Sequence, residues 1–238
     1  PIHQSLLALV PVWILLAATL AIIYVIIKFT SGYRRIPLIY TRTGKDERSY
    51  FPIRVNQAGM IPIIFAISIV TFPFIMGQML IGNSSEVLVR VGEFLMAAFN
   101  PNNAGWLFII LYFLFVMGFS YFYVSITFNT DDVAENIQKR GGYIPNVRPG
   151  AQTSKYLRRT SNNLNFFGGG FLALIAVFPY LANKINAIIG DAGIPNLPIA
   201  NIDFLISGAG IIIVVGVILE LLRRVDSELK SYDYKRFY

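Results

Sequence analysis

The chain is 238 residues long, 55% hydrophobic and only 14% charged, with a mean hydropathy of +0.59. Soluble domains carry about 25% charged residues, so the composition excludes an ordinary soluble domain and points to a membrane-embedded chain. With no cysteine and one histidine, His3, it also excludes disulfides, thiol catalysis, iron–sulfur clusters and cysteine-bound zinc.

A membrane-spanning helix needs about 20 apolar residues, and the sequence offers five such segments. The first, residues 1–28, has no basic residue ahead of an apolar run that is too long for a cleaved signal peptide. Residues 29–55 form a basic loop. Within it, the β-prone runs Ile36–Thr41 and Ser49–Val55 flank the turn-like TGKDER, which predicts a projecting hairpin with Pro37 and Pro52 at strand edges. Residues 56–82 are the second span. It opens NQAGMIPII, where Asn56, Gln57, Gly59 and Pro62 predict a polar, kinked start. Freed backbone groups at that depth must lie against protein or a water-filled cavity, so both a packed helix and a passage-lining helix remain open.

Residues 83–104, with NPNN, read as plain external turns before a third span at 105–128. The loop 129–160 predicts two short helices. The first is capped by Thr130 or Asp131 and carries Asp132 and Glu135 early, with Lys139 and Arg140 at its end. The second, AQTSKYLRRTSN, feeds a fourth span at 161–183, in which FFGGGF signals close helix packing. An external loop at 184–203, a fifth span at 204–222 and a tail at 223–238 complete the chain.

Eighteen of the 20 lysines and arginines fall in the loop 29–55 with its flanking Lys28, the loop 129–160 and the tail. Basic residues concentrate on the cytoplasmic side. That side is therefore expected to carry those three segments, with residue 1 external and residue 238 cytoplasmic. A chain that opens outside with a span reads as the later part of a longer polypeptide.

No catalytic constellation appears, and no metal or cofactor is expected. The spans also lack the buried charges that ion-coupled carriers use. Glu220 borders the fifth span and pairs most simply with Arg223 or Arg224.

Two stretches carry a family resemblance: VNQAGMIPIIFA, and NTDDVAENIQKRGGYIPNVRPGAQTSKYL in the second basic loop. With GYRRI after the first span, they resemble the SecY family, the main subunit of the bacterial Sec translocon, along essentially the whole chain. The match is to the family's C-terminal half, helices six to ten. The resemblance implies an all-α polytopic fold, five transmembrane helices making half of a ten-helix clamshell channel, with the projecting hairpin. It implies a non-enzymatic, protein-conducting channel in the bacterial plasma (inner) membrane that passes unfolded chains and releases hydrophobic segments sideways into lipid.

Residue by residue, the resemblance implies that Ile64 and Ile213 belong to an apolar pore ring. It puts Asn56, Gln57 and Pro62 on the lateral-gate helix. It implies docking of the motor ATPase SecA or the ribosome at Arg148, Pro149 and Gly150, with Lys139 and Arg140 nearby. Arg34, Arg35 and Arg42 are candidate contacts to ribosomal RNA. The implied partners are the N-terminal half of the same channel, SecE, SecG, SecA, the ribosome, the translocating polypeptide and membrane lipid. Half of a small-molecule transporter, and a passive bundle that binds a partner through basic loops, are the competing readings.

Overall fold

A computed structural model describes residues 13, 17, 20–40, 47–82, 85–101, 103–191, 210, 213–218, 221–222 and 225. In chain order these form α1 (Leu20–Thr30), β1 (Tyr33–Tyr40), β2 (Glu47–Arg54), α2 (Ile61–Ile81) and α3 (Glu86–Ala98). There follow α4 (Trp106–Thr127), α5 (Thr130–Lys139), β3 (Gly142–Tyr143) and α6 (Ala151–Asp191). Residues 213–218 are also helical. Among the described residues, three helices, α2, α4 and α6, are long and apolar enough to cross a membrane, and α1 is a shorter apolar helix.

The chain divides into two compact units, Pro1–Phe29 with Ile175–Tyr238, and Thr30–Leu174. In the first, Ile26, Ala176, Val177 and Val215 are buried. The second holds both a small mixed module and a helical bundle.

The module is built on the hairpin. β1 pairs antiparallel with β2 from Tyr33↔Arg54 to Tyr40↔Glu47, and Val55 N–H closes the base by donating to the Gly32 carbonyl at 3.0 Å. Side chains alternate across a strand, so Ile36 and Leu38 share one face with Ile53, and all three are buried. The sheet also has a third strand that the sequence did not announce: β3 pairs with β1 at Ile39↔Tyr143 and Tyr40↔Gly142. Gly142 suits this position, because a Cβ would sit 2.7 Å from the Tyr40 ring and the ring would have to shift. Pro37 lies in the central strand, on the stretch of its edge that β3 leaves unpaired.

Four further expectations are corrected. Residues 83–104 are not plain turns, since α3 occupies most of them; with 13 residues it is too short to cross a membrane, and it packs on α2 at Gly92. Asn56 and Gln57 precede α2 instead of belonging to it, and Pro62 sits in its first turn. A missing N–H costs nothing at that position, so Pro62 starts the helix and does not kink it; the internal proline is Pro73. The cap of α5 is Asn129, whose Oδ1 accepts from the Asp131 and Asp132 N–H groups at 3.1 and 3.4 Å. Finally, α6 runs unbroken from Ala151 through the expected boundary at 160/161 and past 183 to Asp191, with Pro179 inside it.

Candidate functional site

The loop after α5 is ordered by its backbone chemistry. Gly141 takes φ +72° as the chain leaves the helix, a left-handed exit that glycine makes without a Cβ penalty. Ile144, Pro145, Asn146 and Val147 then make a tight turn: Val147 N–H donates to the Ile144 carbonyl at 3.1 Å, and Asn146 has φ +64°. Proline second and asparagine third is what a turn with a positive φ at its third residue selects. Ile144 is buried in the module core with Ala134 and Ile137 of α5, Leu157 of α6 and the three hairpin residues.

Arg148 follows this turn with its side chain in solvent, beside exposed Pro149 and half-buried Gly150. Its carbonyl is tethered by the hydroxyl of buried Thr153 at 3.0 Å. The guanidinium is therefore exposed on a tethered backbone. Lys139 is exposed but paired with Glu135 at 2.6 Å, one turn away. Arg140, at the end of α5, is exposed.

Arg34 and Arg35 of the hairpin project from opposite faces, Arg34 from the one that also carries Ile36. Arg35 rests between two tyrosines, its guanidinium carbon 5.2 Å from the Tyr33 ring centre and 4.9 Å from that of Tyr50. The hydrogen bond to the Tyr33 hydroxyl, at 2.9 Å, pushes its pKa above the ordinary value. Arg42 lies outside the described residues.

The module joins the bundle around the start of α2. Asn56 is buried, and its Oδ1 accepts from Gly59 N–H at 2.9 Å, turning the chain into the helix. Gln57 Oε1 accepts from Ser161 of α6 at 2.9 Å, and one turn deeper Asn165 Oδ1 accepts from Ser120 of α4 at 2.7 Å. The amide nitrogens of Gln57 and Asn165 are buried without a hydrogen-bond partner among the described residues. Gly168, next along α6, lies so close to the hairpin base that a Cβ would run into the Val55 carbonyl oxygen, while one on Gly169 would stand 2.8 Å from Ser120 Oγ. The close packing expected of FFGGGF is thus made by Gly168 and Gly169, while Phe166 and Phe167 are exposed. The residues sequence reasoning missed are Ser120, Ser161 and Asn165. Their signal was present: Ser161, Asn165 and Gly168 follow helical spacing along one face of α6.

Ile64 is 42% exposed on α2, next to buried Ile63. Ile213 is half-buried in the helical residues 213–218, in the other compact unit.

A family model described as SecY matches residues 2–222. The chain belongs to the SecY family. Protein translocase subunit SecY of Corynebacterium glutamicum is 34% identical over 228 residues, covering 93% of this chain and 50% of the relative. The SecY proteins of Thermotoga maritima and Helicobacter pylori are each 35% identical, over 235 and 230 residues, covering 94% of this chain and 48% and 49% of their own lengths. The chain spans about half the length of the curated SecY relatives it matches. Two solved structures share the fold at 17% identity. One, described as the structure of a protein conducting channel, has a TM-score of 0.51 and covers 91% of this chain and 50% of its own. The other, concerning the plug domain of the SecY protein, has a TM-score of 0.50 with 91% and 51% covered. Family membership and the membrane-capable helices together assign the chain to a membrane.

Proposed function

We propose that this chain supplies one half of a protein-conducting channel that passes unfolded polypeptides across the membrane and releases hydrophobic segments into it. The observation that carries this reading is the SecY match over residues 2–222. In this reading the chain contributes five spans to a ten-helix clamshell in the bacterial plasma membrane, and the N-terminal half of the channel closes it. Residue 1 is external, and the hairpin, the loop 129–160 and the tail are cytoplasmic.

Ile64 and Ile213 contribute apolar side chains to the constriction. A narrow apolar ring dewets and resists ions, and dispersion contacts alone let a chain slide through it. The exposure of Ile64 supports a role on an open face. Asn56, Gln57 and Pro62 lie at the end of the lateral-gate helix, where it must move. Arg148, Pro149 and Gly150, with Lys139 and Arg140, form the docking tip for the motor ATPase SecA or the ribosome. A guanidinium forks onto a carboxylate or a phosphate, and a fixed backbone loses less freedom on binding. Arg34, Arg35 and Arg42 contact ribosomal RNA phosphates, SecE and SecG complete the assembly, and no cofactor takes part.

The test is a photo-crosslinker placed at Ile64 in the complete channel, with a secretory chain stalled in transit. Strong crosslinks from position 64 and none from buried position 63 are expected. Absence of crosslinks at 64, or equal yield at both, overturns the channel reading.

A further inference from the structure

The helix α3 has a surface that the channel reading does not use. Its 13 residues, EVLVRVGEFLMAA, span about 20 Å, too short to cross a bilayer. At 3.6 residues per turn they sort into three arcs. Leu88, Val89, Gly92, Leu95 and Met96 form the packed arc, and Gly92 is buried. Glu86, Arg90 and Glu93 form a charged arc, where Arg90 donates to Glu86 at 2.6 Å with both side chains largely in solvent. Between them runs a third arc, Val87, Val91 and Phe94, which is apolar yet 70%, 45% and 66% exposed.

The depth of this helix is set by a glycine crossing. A Cβ on Gly77 of α2 would lie 2.8 Å from the Gly92 carbonyl oxygen, and one on Gly92 would lie 2.9 Å from that of Gly77. The two backbones touch, so α3 cannot ride up or down without losing the fit. Gly77 stands four residues before the end of α2, about 6 Å inside it. That is the depth at which interfacial helices bury their apolar side, about 5–10 Å into the headgroup–acyl boundary. Met76, beside Gly77 on α2, is exposed as well, so the apolar surface of a membrane-capable helix continues onto the third arc of α3.

We propose that α3 is an interfacial helix whose Val87, Val91 and Phe94 arc is embedded in phospholipid at the acyl–headgroup boundary, with the Glu86, Arg90 and Glu93 arc in water. It acts as a float that holds the end of α2 at a fixed height. The proposal rests on α2 crossing the membrane. Lipid is the occupant because depth, apolar exposure and charge separation agree on it. A water-lined wall would leave three large apolar side chains hydrated, and a protein partner is an outcome of the test.

The experiment uses the complete channel in vesicles of phosphatidylethanolamine and phosphatidylglycerol. Nitroxide labels go on single cysteines at 87, 91, 94, 86 and 93, and at Phe72 in mid-α2. Collision with oxygen reports lipid, and collision with a nickel chelate reports water. Oxygen accessibility should exceed nickel accessibility severalfold at 87, 91 and 94, and the order should reverse at 86 and 93. Nickel dominance at 87, 91 and 94, or immobile labels there that neither reagent reaches, overturns the proposal in favour of a water-lined or protein-covered face. The label at 72 separates the two layers. If it favours oxygen while the α3 labels do not, only the float fails; if it favours nickel, the spanning reading of α2 fails too.

Discussion

The hairpin module and the helical bundle of residues 30–174 obey opposite rules. In the module, aliphatic side chains point in and charges point out: Ile36, Leu38, Ile53, Ile137, Ile144 and Leu157 are buried, while Arg35, Asp131, Lys139 and Arg148 are exposed. In the bundle the outer surface is apolar too: Phe65, Phe72, Leu114 and Phe122 are exposed, while the interior mixes buried Ile63, Phe108 and Val116 with buried Ser120, Ser161 and Asn165. A module that folds in water must hide its hydrocarbon. A helix in lipid gains nothing by hiding it, so apolar side chains can face outward while close backbone contacts and hydrogen bonds join the packed side chains inside. Helices that are apolar all round, as α2 and α4 are, read as spans for the same reason.

The largest effect should come from the joint between these regions. Gly168→Leu would drive a side chain into the Val55 backbone, where nothing flexible can give way. Overpacking costs about 1–3 kcal/mol in forgiving sites, and this one should exceed that. Loss of the folded complex on size-exclusion chromatography is expected. Gly170→Ala, whose nearest neighbour would be Met117 Sδ at 3.8 Å, should survive. If both variants behave alike, the two regions are not locked at Gly168.

A smaller and local effect is expected inside the module. Leu157→Ala should cost about 2–5 kcal/mol, and it should act on the aqueous side of the comparison only. Hydrogen exchange should quicken in β1, β2 and α5 while α4 keeps its protection. Faster exchange throughout α4 would mean that module and bundle unfold as one.

The smallest effect on stability belongs to the tip. Arg148→Glu touches no packed contact and should change stability by less than about 0.5 kcal/mol. Motor-driven export into vesicles should nevertheless fall sharply. Lys139→Glu should do less, because Glu135 already occupies that ammonium. Unchanged export by Arg148→Glu would remove the docking role.

Much of this was legible from particular residues. The hairpin follows from two β-prone runs around TGKDER, and α5 from acids first and bases last, although the cap proved to be Asn129. The spans at 61–81 and 106–127 follow from apolar length alone. The illegible parts were those in which one residue type serves two ends. Pro62 reads as a kink within a span and as a starter in a first turn, and only the position of Asn56 and its turn decides between them. The loop 83–104 concealed α3 because its third apolar arc and its turn residues average to an unremarkable hydropathy. β3 is two residues long, too short for any periodicity to register.

What the sequence by itself determined is the class of solvent, three of its five expected spans (α2, α4 and α6) and the family, because hydropathy and long motifs are sums over neighbours in the chain. Only the tertiary structure decided that the two basic loops share one sheet and one core, and that Gln57 meets Ser161 and Ser120 meets Asn165 across 104 and 45 residues. The physical reason is that a buried amide or a glycine contact acquires its meaning from a partner chosen by packing, and nothing local in the chain names that partner.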